Sequence, residues 1–117
     1  MSKTRMIRIN DEIQREISVI LRAGISDPRF AAGIMASCVR AEVSRDLKYC
    51  KAYISILGTD EQKAAAMEAI KSAHGHIRSS IARGINLRNT PEFKFILDDS
   101  LDHSFRINEI LAGDRDV

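Results

Sequence analysis

From the start of the chain apolar residues recur at helical spacing. Met6, Ile9, Ile13, Ile17, Ile20 and Leu21 lie three or four apart and predict an amphipathic helix over Met6–Arg22. Gly24 suits a stop just past its last turn. The period then changes to two. Val39, Ala41 and Val43 alternate with other residues and predict a strand over Ile34–Val43. Cys50, Ala52, Ile54 and Ile56 alternate with Tyr49, Lys51, Tyr53 and Ser55 and predict a second over Leu47–Leu57. Ser26-Asp27-Pro28-Arg29 has the residue types of a turn, and Ser44-Arg45-Asp46 is short enough to require an antiparallel hairpin. On strict alternation Val39 and Cys50 share the buried face and Cys38 points the other way.

Beyond Gly58, Thr59-Asp60-Glu61-Gln62 is a capping-box pattern, a hydroxyl at the cap with Gln three residues on. The apolar pattern then runs through Met67, Ile70, Ile77, Ile81 and Ile85 as far as Arg88, long for one helix in so small a chain, and Gly75 marks the expected kink or break. Asn89-Thr90-Pro91 reads as a turn, and Glu92–Leu97 as a third strand with Phe93, Phe95 and Leu97 on one face. A short helical segment is expected around Phe105 to Leu111, ended by Gly113. Residues 1–112 are therefore expected to form one domain, with 113–117 a short disordered tail. The expected fold class is α+β: a three-stranded sheet with its helices on one face and the other face open to solvent.

Composition fits that picture. Apolar residues make up 44% and charged residues 29% of 117, the balance of one globular domain with a single modest core. Aromatics are 5% and Trp is absent, so the core must be aliphatic. No apolar run is long enough to span a bilayer, and the charged start of the chain leads into an amphipathic segment, unlike a secretory signal. Two cysteines make no disulfide framework, so a reducing cytoplasm is the expected compartment. The net charge of +2 is unevenly spread: −4 from Asp98 onward against +6 before it. A basic body points mildly to a polyanionic partner, and scattered surface charge accounts for it equally well.

The element order is that of the second type of KH domain, and a closer resemblance runs along nearly the whole chain. Its carriers are Arg8-Ile9 and Glu16-Ile17, then Ile25-Ser26-Asp27-Pro28-Arg29, then Val43-Ser44-Arg45-Asp46-Leu47-Lys48-Tyr49 with Ala52-Tyr53-Ile54-Ser55. Ala73-His74-Gly75-His76-Ile77-Arg78, Leu87-Arg88, Pro91-Glu92-Phe93-Lys94-Phe95, Asp98-Asp99-Ser100 and Arg106-Ile107 complete it. In this order and spacing they resemble the bacterial ribosome-binding factor A family. Ordinary KH domains clamp a nucleic-acid backbone with a Gly-x-x-Gly loop. No two of the six glycines here stand three apart, and Ala73-His74-Gly75 resembles the family's interhelical kink instead.

The resemblance implies a non-enzymatic assembly factor. It would bind the free small (30S) ribosomal subunit and its 16S rRNA, promote late maturation and rRNA processing, and serve growth in the cold. An assembly GTPase for release and a monomeric state follow from the same resemblance. The candidate RNA-binding residues begin with Lys71, His74, Gly75 and Arg78 across the kink, continued by Arg83 and Arg88. Arg5, Arg8 and Arg15 on the first helix and Arg45 and Lys48 at the hairpin turn complete the set. Lysine and arginine at such spacing would supply phosphate contacts, although each stripe would also serve as a plain solvated face. Tyr49 and Tyr53 on the open sheet face could stack on bases or simply pack. His74 and His76 have no Cys or carboxylate set at ligand spacing, so no metal is expected. Asp98-Asp99 is better explained by turn chemistry than by acid–base catalysis. No phosphate-binding glycine loop or nucleophile elbow is present, so neither a catalytic residue nor a cofactor is expected. The rival reading is a KH-like protein-interaction module that acts without RNA.

Overall fold

The structure is a computed structural model that describes residues 3–87 and 89–98. Its elements run α1 (Lys3–Ala23), β1 (Met35–Val43), β2 (Tyr49–Leu57), α2 (Asp60–Ser72), α3 (His74–Gly84) and β3 (Glu92–Leu97). The sheet order is β1-β2-β3, with β1 and β2 antiparallel and β2 and β3 parallel. A parallel pair cannot be joined by a tight turn, so α2 and α3 form the crossover. This is the expected α+β sandwich. The segment around Phe105 to Leu111, the tail 113–117 and Arg88 lie outside the described residues.

The core lies between the helices and one sheet face. Ile9, Ile13, Ile17 and Leu21 of α1 enter it with Ala66, Met67, Ala69 and Ile70 of α2 and Ile77 and Ile81 of α3. They meet Ala36, Cys38, Ala41, Val43, Cys50, Ala52, Ile54, Ile56 and Phe95 of the sheet. Aliphatic side chains dominate, each worth about 1.5–3 kcal/mol when fully buried. The expected capping box forms: Thr59 Oγ1 accepts from the Gln62 amide at 3.1 Å, and Gln62 Oε1 accepts from the Thr59 amide at 2.8 Å. No helix of the described residues is long and apolar enough to cross a membrane.

One strand departs from strict alternation. The pairing of β1 with β2 shifts between Cys38 and Arg40, a bulge that leaves Val39 without a partner strand residue. Val39 is therefore 44% exposed, and Cys38 turns inward to 1%. Both cysteines thus share the buried face, contrary to the period-two reading. They are free, and they do not face each other: Cys38 pairs with Ile54 and Cys50 with Val43. Four residues of strand separate Ile54 from Cys50, about 13 Å, beyond disulfide reach.

The bulge lies on the outer edge of the sheet, where α1 satisfies it. Cys38 N–H donates to Ser18 Oγ at 3.0 Å, and the Cys38 carbonyl accepts from Gln14 Nε2 at 2.9 Å and Ser18 Oγ at 3.2 Å. Further along, Val43 N–H donates to Asn10 Oδ1 at 2.9 Å. Asn10, Gln14 and Ser18 are one helical turn apart, so a polar stripe beside the apolar one closes an edge that would otherwise template another strand.

The long helix breaks at Ala73, two residues before the glycine that marks the break in the sequence, and it ends at Gly84 short of Arg88. At Ala73 φ is −89° and ψ is 10°, and its amide is shared between the Ala69 and Ile70 carbonyls at 3.0 and 3.1 Å. The Ala73 carbonyl then starts α3 by accepting from Ile77 N–H at 2.9 Å.

Candidate nucleic-acid interface

The hairpin turn is rigid by construction. Ser44 Oγ donates to Asp46 Oδ1 at 2.6 Å and accepts from the Tyr49 amide at 3.1 Å, while Asp46 Oδ1 also accepts from the Lys48 amide at 3.1 Å. The Ser44 hydroxyl, then the Lys48 amide, hold the Asp46 carboxyl below its ordinary value. Leu47 adopts φ 60°, a left-handed conformation that costs a non-glycine residue roughly 1–2 kcal/mol. Its side chain packs on the core and its amide donates to the Ser44 carbonyl at 2.9 Å, so the strain is held. This conformation leaves Arg45 and Lys48 exposed.

The interhelical joint is braced by arginine. Arg29, in the loop after α1, donates to the Asp27 carboxylate from Nε at 3.1 Å and Nη2 at 2.8 Å. Nη2 also donates to Ser72 Oγ, at the end of α2, at 2.9 Å. The Arg29 side chain, then its amide, lower the Asp27 carboxyl to about 2. Across the joint Arg78 donates from Nε to the Pro91 carbonyl at 3.1 Å and from Nη2 to the Thr90 carbonyl at 2.8 Å, fastening α3 to the turn before β3. His74 Nδ1 lies 2.9 Å from the Lys71 carbonyl, so Nδ1 carries the proton and Nε2 is left for an outside partner. Arg83 Nη2 donates to Ser80 Oγ at 3.3 Å, within its own helix.

Three clefts open around this joint. One of about 470 Å³ is lined by His74, Gly75, Arg78 and Ser79 with Asn89, Thr90 and Glu92. A second, of about 450 Å³, adds Asp46, Lys48 and Tyr49 to Arg78, Asn89, Thr90 and Glu92. A third, of about 310 Å³, lies between Lys71 and His74 on one side and Phe93, Lys94 and Phe95 on the other. The Phe93 and Phe95 rings stack with centroids 6.0 Å apart.

The structure thus gathers Lys71, His74, Gly75 and Arg78 with Lys48, while Arg83 is exposed further along α3. Arg5, Arg8 and Arg15 are exposed on α1 and line none of these clefts. Asn89, Thr90, Glu92 and Lys94 join the site unforeseen. Only the parallel pairing of β3 with β2 sets them beside the hairpin, and no local pattern signals that pairing. The two tyrosines also separate. Arg40 lies 4.4 Å over the Tyr53 ring and pairs with Glu42 at 3.3 Å, which covers Tyr53. Tyr49 remains 63% exposed.

The sequence profile of ribosome-binding factor A matches residues 5–111. The chain belongs to the ribosome-binding factor A family. Ribosome-binding factor A of Clostridium novyi is 45% identical over 113 residues, covering 97% of this chain and 92% of that protein. A Thermotoga maritima protein solved by solution NMR superposes with a TM-score of 0.67 at 30% identity, over 81% of this chain and 88% of that one. A homology model of the Thermus thermophilus ribosome binding factor A, fitted into a cryo-EM map of its complex with the 30S subunit, gives 0.63 at 19%, over 77% and 91%. At that identity the last likeness speaks for the fold. The family is one of ribosome-binding factors and not of enzymes.

Proposed function

We propose that this protein binds the small ribosomal subunit through its 16S rRNA, using the surface around the interhelical joint and the hairpin turn. The observation that carries this reading is the convergence of Lys48, Lys71, His74 and Arg78 on clefts that share lining residues, in a chain of this family. A Thermus thermophilus relative sits in a 30S complex, which supports the same partner. The action is mass action: binding one rRNA conformation shifts the population toward it, promoting late maturation and rRNA processing, most usefully in the cold. A cytoplasmic monomer released by an assembly GTPase completes the proposal.

The test is co-sedimentation with free 30S subunits and with whole ribosomes across a salt series. Binding should fall steeply with salt and favour free subunits. Arg78 braces the fold, so the charges to reverse are Lys48, Lys71 and Arg83. The triple glutamate variant should lose binding while its thermal melt is unchanged, and retained binding would place the interface elsewhere. A second reading, docking of a protein partner, is favoured by a cleft of about 350 Å³ lined by Arg22, Ile34, Met35 and Leu57. Met35 and Leu57 are 67% and 69% exposed there. Binding insensitive to salt, and abolished by Leu57→Asp, would favour that surface.

A further inference from the structure

We propose that the groove between the interhelical joint and the hairpin turn reads one unpaired RNA base and prefers guanine. This rests on the RNA-binding reading above and adds what the groove recognises. The two clefts adjoin, sharing Arg78, Asn89, Thr90 and Glu92 in their walls, and together they make up this groove. Tyr49 and Glu92 are partners in the β2–β3 register, so their side chains stand side by side on one sheet face, with strands about 4.8 Å apart. Tyr49 is exposed, and among the described residues no cation covers its ring. Among the same residues the Glu92 carboxylate makes no hydrogen bond or ion pair.

That pairing selects against a phosphate and for a base. A carboxylate in the middle of the groove repels phosphate oxygens, and it accepts hydrogen bonds without donating any. Beside it, the tyrosine ring offers a stacking platform to any base. The base that fits both must present donors on its edge. Guanine alone has two parallel donors there, N1–H and N2–H, matching the two carboxylate oxygens as a fork does. Adenine and cytosine offer one amino group beside an acceptor, and uracil sets its single N3–H between two carbonyls that the carboxylate repels. The flanking phosphates then fall at the ends of the groove, near Lys48 at one end and His74 at the other.

The experiment is fluorescence anisotropy of the full-length protein with labelled uridine heptamers carrying a central G, A, C or U, run beside 30S co-sedimentation. The guanine oligomer should bind on the order of tenfold tighter than all-uridine, with A and C between. Glu92→Gln should abolish the preference without weakening the uridine oligomer. Tyr49→Leu should weaken all four on the order of tenfold. Equal affinities, no binding of any oligomer, or a guanine preference that survives Glu92→Gln would overturn the pocket. Wild-type protein that co-sediments with 30S yet shows no base preference refutes the pocket alone. Failure to co-sediment refutes the broader reading.

Discussion

Gly75 is a glycine that the fold does not require. It lies in the first turn of α3 with helical backbone, and a methyl group built on it meets no atom within 4 Å. Glycine in a helix loses more chain entropy on folding than alanine does. Gly75→Ala should therefore stabilise the protein by about 0.5 kcal/mol, taking the lower figure because the site is in a first turn. For a domain of this size that raises Tm by about 2–4 °C. The same methyl group would stand in the cleft lined by His74, Gly75 and Arg78. If RNA approaches the backbone there, displacing one charge-assisted hydrogen bond costs about 1.5–3 kcal/mol, or roughly 10- to 100-fold in affinity. Thermal melting and 30S co-sedimentation of the same preparation should then move in opposite directions, a more stable protein that binds less. Binding equal to wild type would remove Gly75 from the interface. A lower Tm would mean that the joint does not have the open geometry described.

The clasp between Asp27 and Arg29 predicts a pH response. The Asp27 carboxyl carbon should titrate near pH 2 by NMR in the native protein and return toward the ordinary value of 3.8 in Arg29→Ala. Because the folded value is depressed, the clasp's contribution is complete above about pH 4 and fades as the pH falls through 2. An unshifted titration would show that the guanidinium is not held there in solution. The cysteines give an independent check of the bulge. Burial raises the Cys38 thiol to about 11 and Cys50 to about 12, so neither should react with a thiol reagent at pH 8 until the protein unfolds. Rapid native labelling of Cys38 alone would restore strict alternation and refute the bulge.

Much of the architecture can be read from periodicity because burial enforces it. The α1 face, the hairpin and Glu92–Leu97 all follow from apolar spacing. The bulge is hidden from such a reading because one extra residue reverses the faces of everything before it, and alternation cannot report where a strand slips. Its trace is still present in Asn10, Gln14 and Ser18, polar residues one turn apart beside Ile9, Ile13 and Ile17, where a purely solvated face would not need to run parallel to the core. Helix propensity points to Gly75 for the interhelical break because glycine is the weakest helix former there. The break instead falls at Ala73, where the tertiary brace from Arg29 to Ser72 acts on the end of α2. Propensity names the neighbourhood, and a hydrogen bond spanning 43 residues of sequence is tied to the position.

The candidate site shows the same division and bears on how the charge is used. Helical spacing alone puts Lys71, His74 and Arg78 on one stripe, but it treats all three as equivalent cations. In the fold Arg78 commits two donors to the Thr90 and Pro91 carbonyls, and Arg29 commits its fork to Asp27 and Ser72. Guanidinium suits both tasks, since its planar array of donors can hold two acceptors at once, which a lysine ammonium does poorly. Arginines therefore brace the joint where an ordinary KH domain has a glycine loop, and the exposed lysines, Lys48 and Lys71, stand at the cleft edges as point charges. On this division Arg78→Lys should lower the Tm more than it changes the salt dependence of 30S co-sedimentation. Lys71→Arg should do neither. A net charge of +2 does not locate the site, because basic side chains committed to bracing the joint count equally in that sum with those left for a partner.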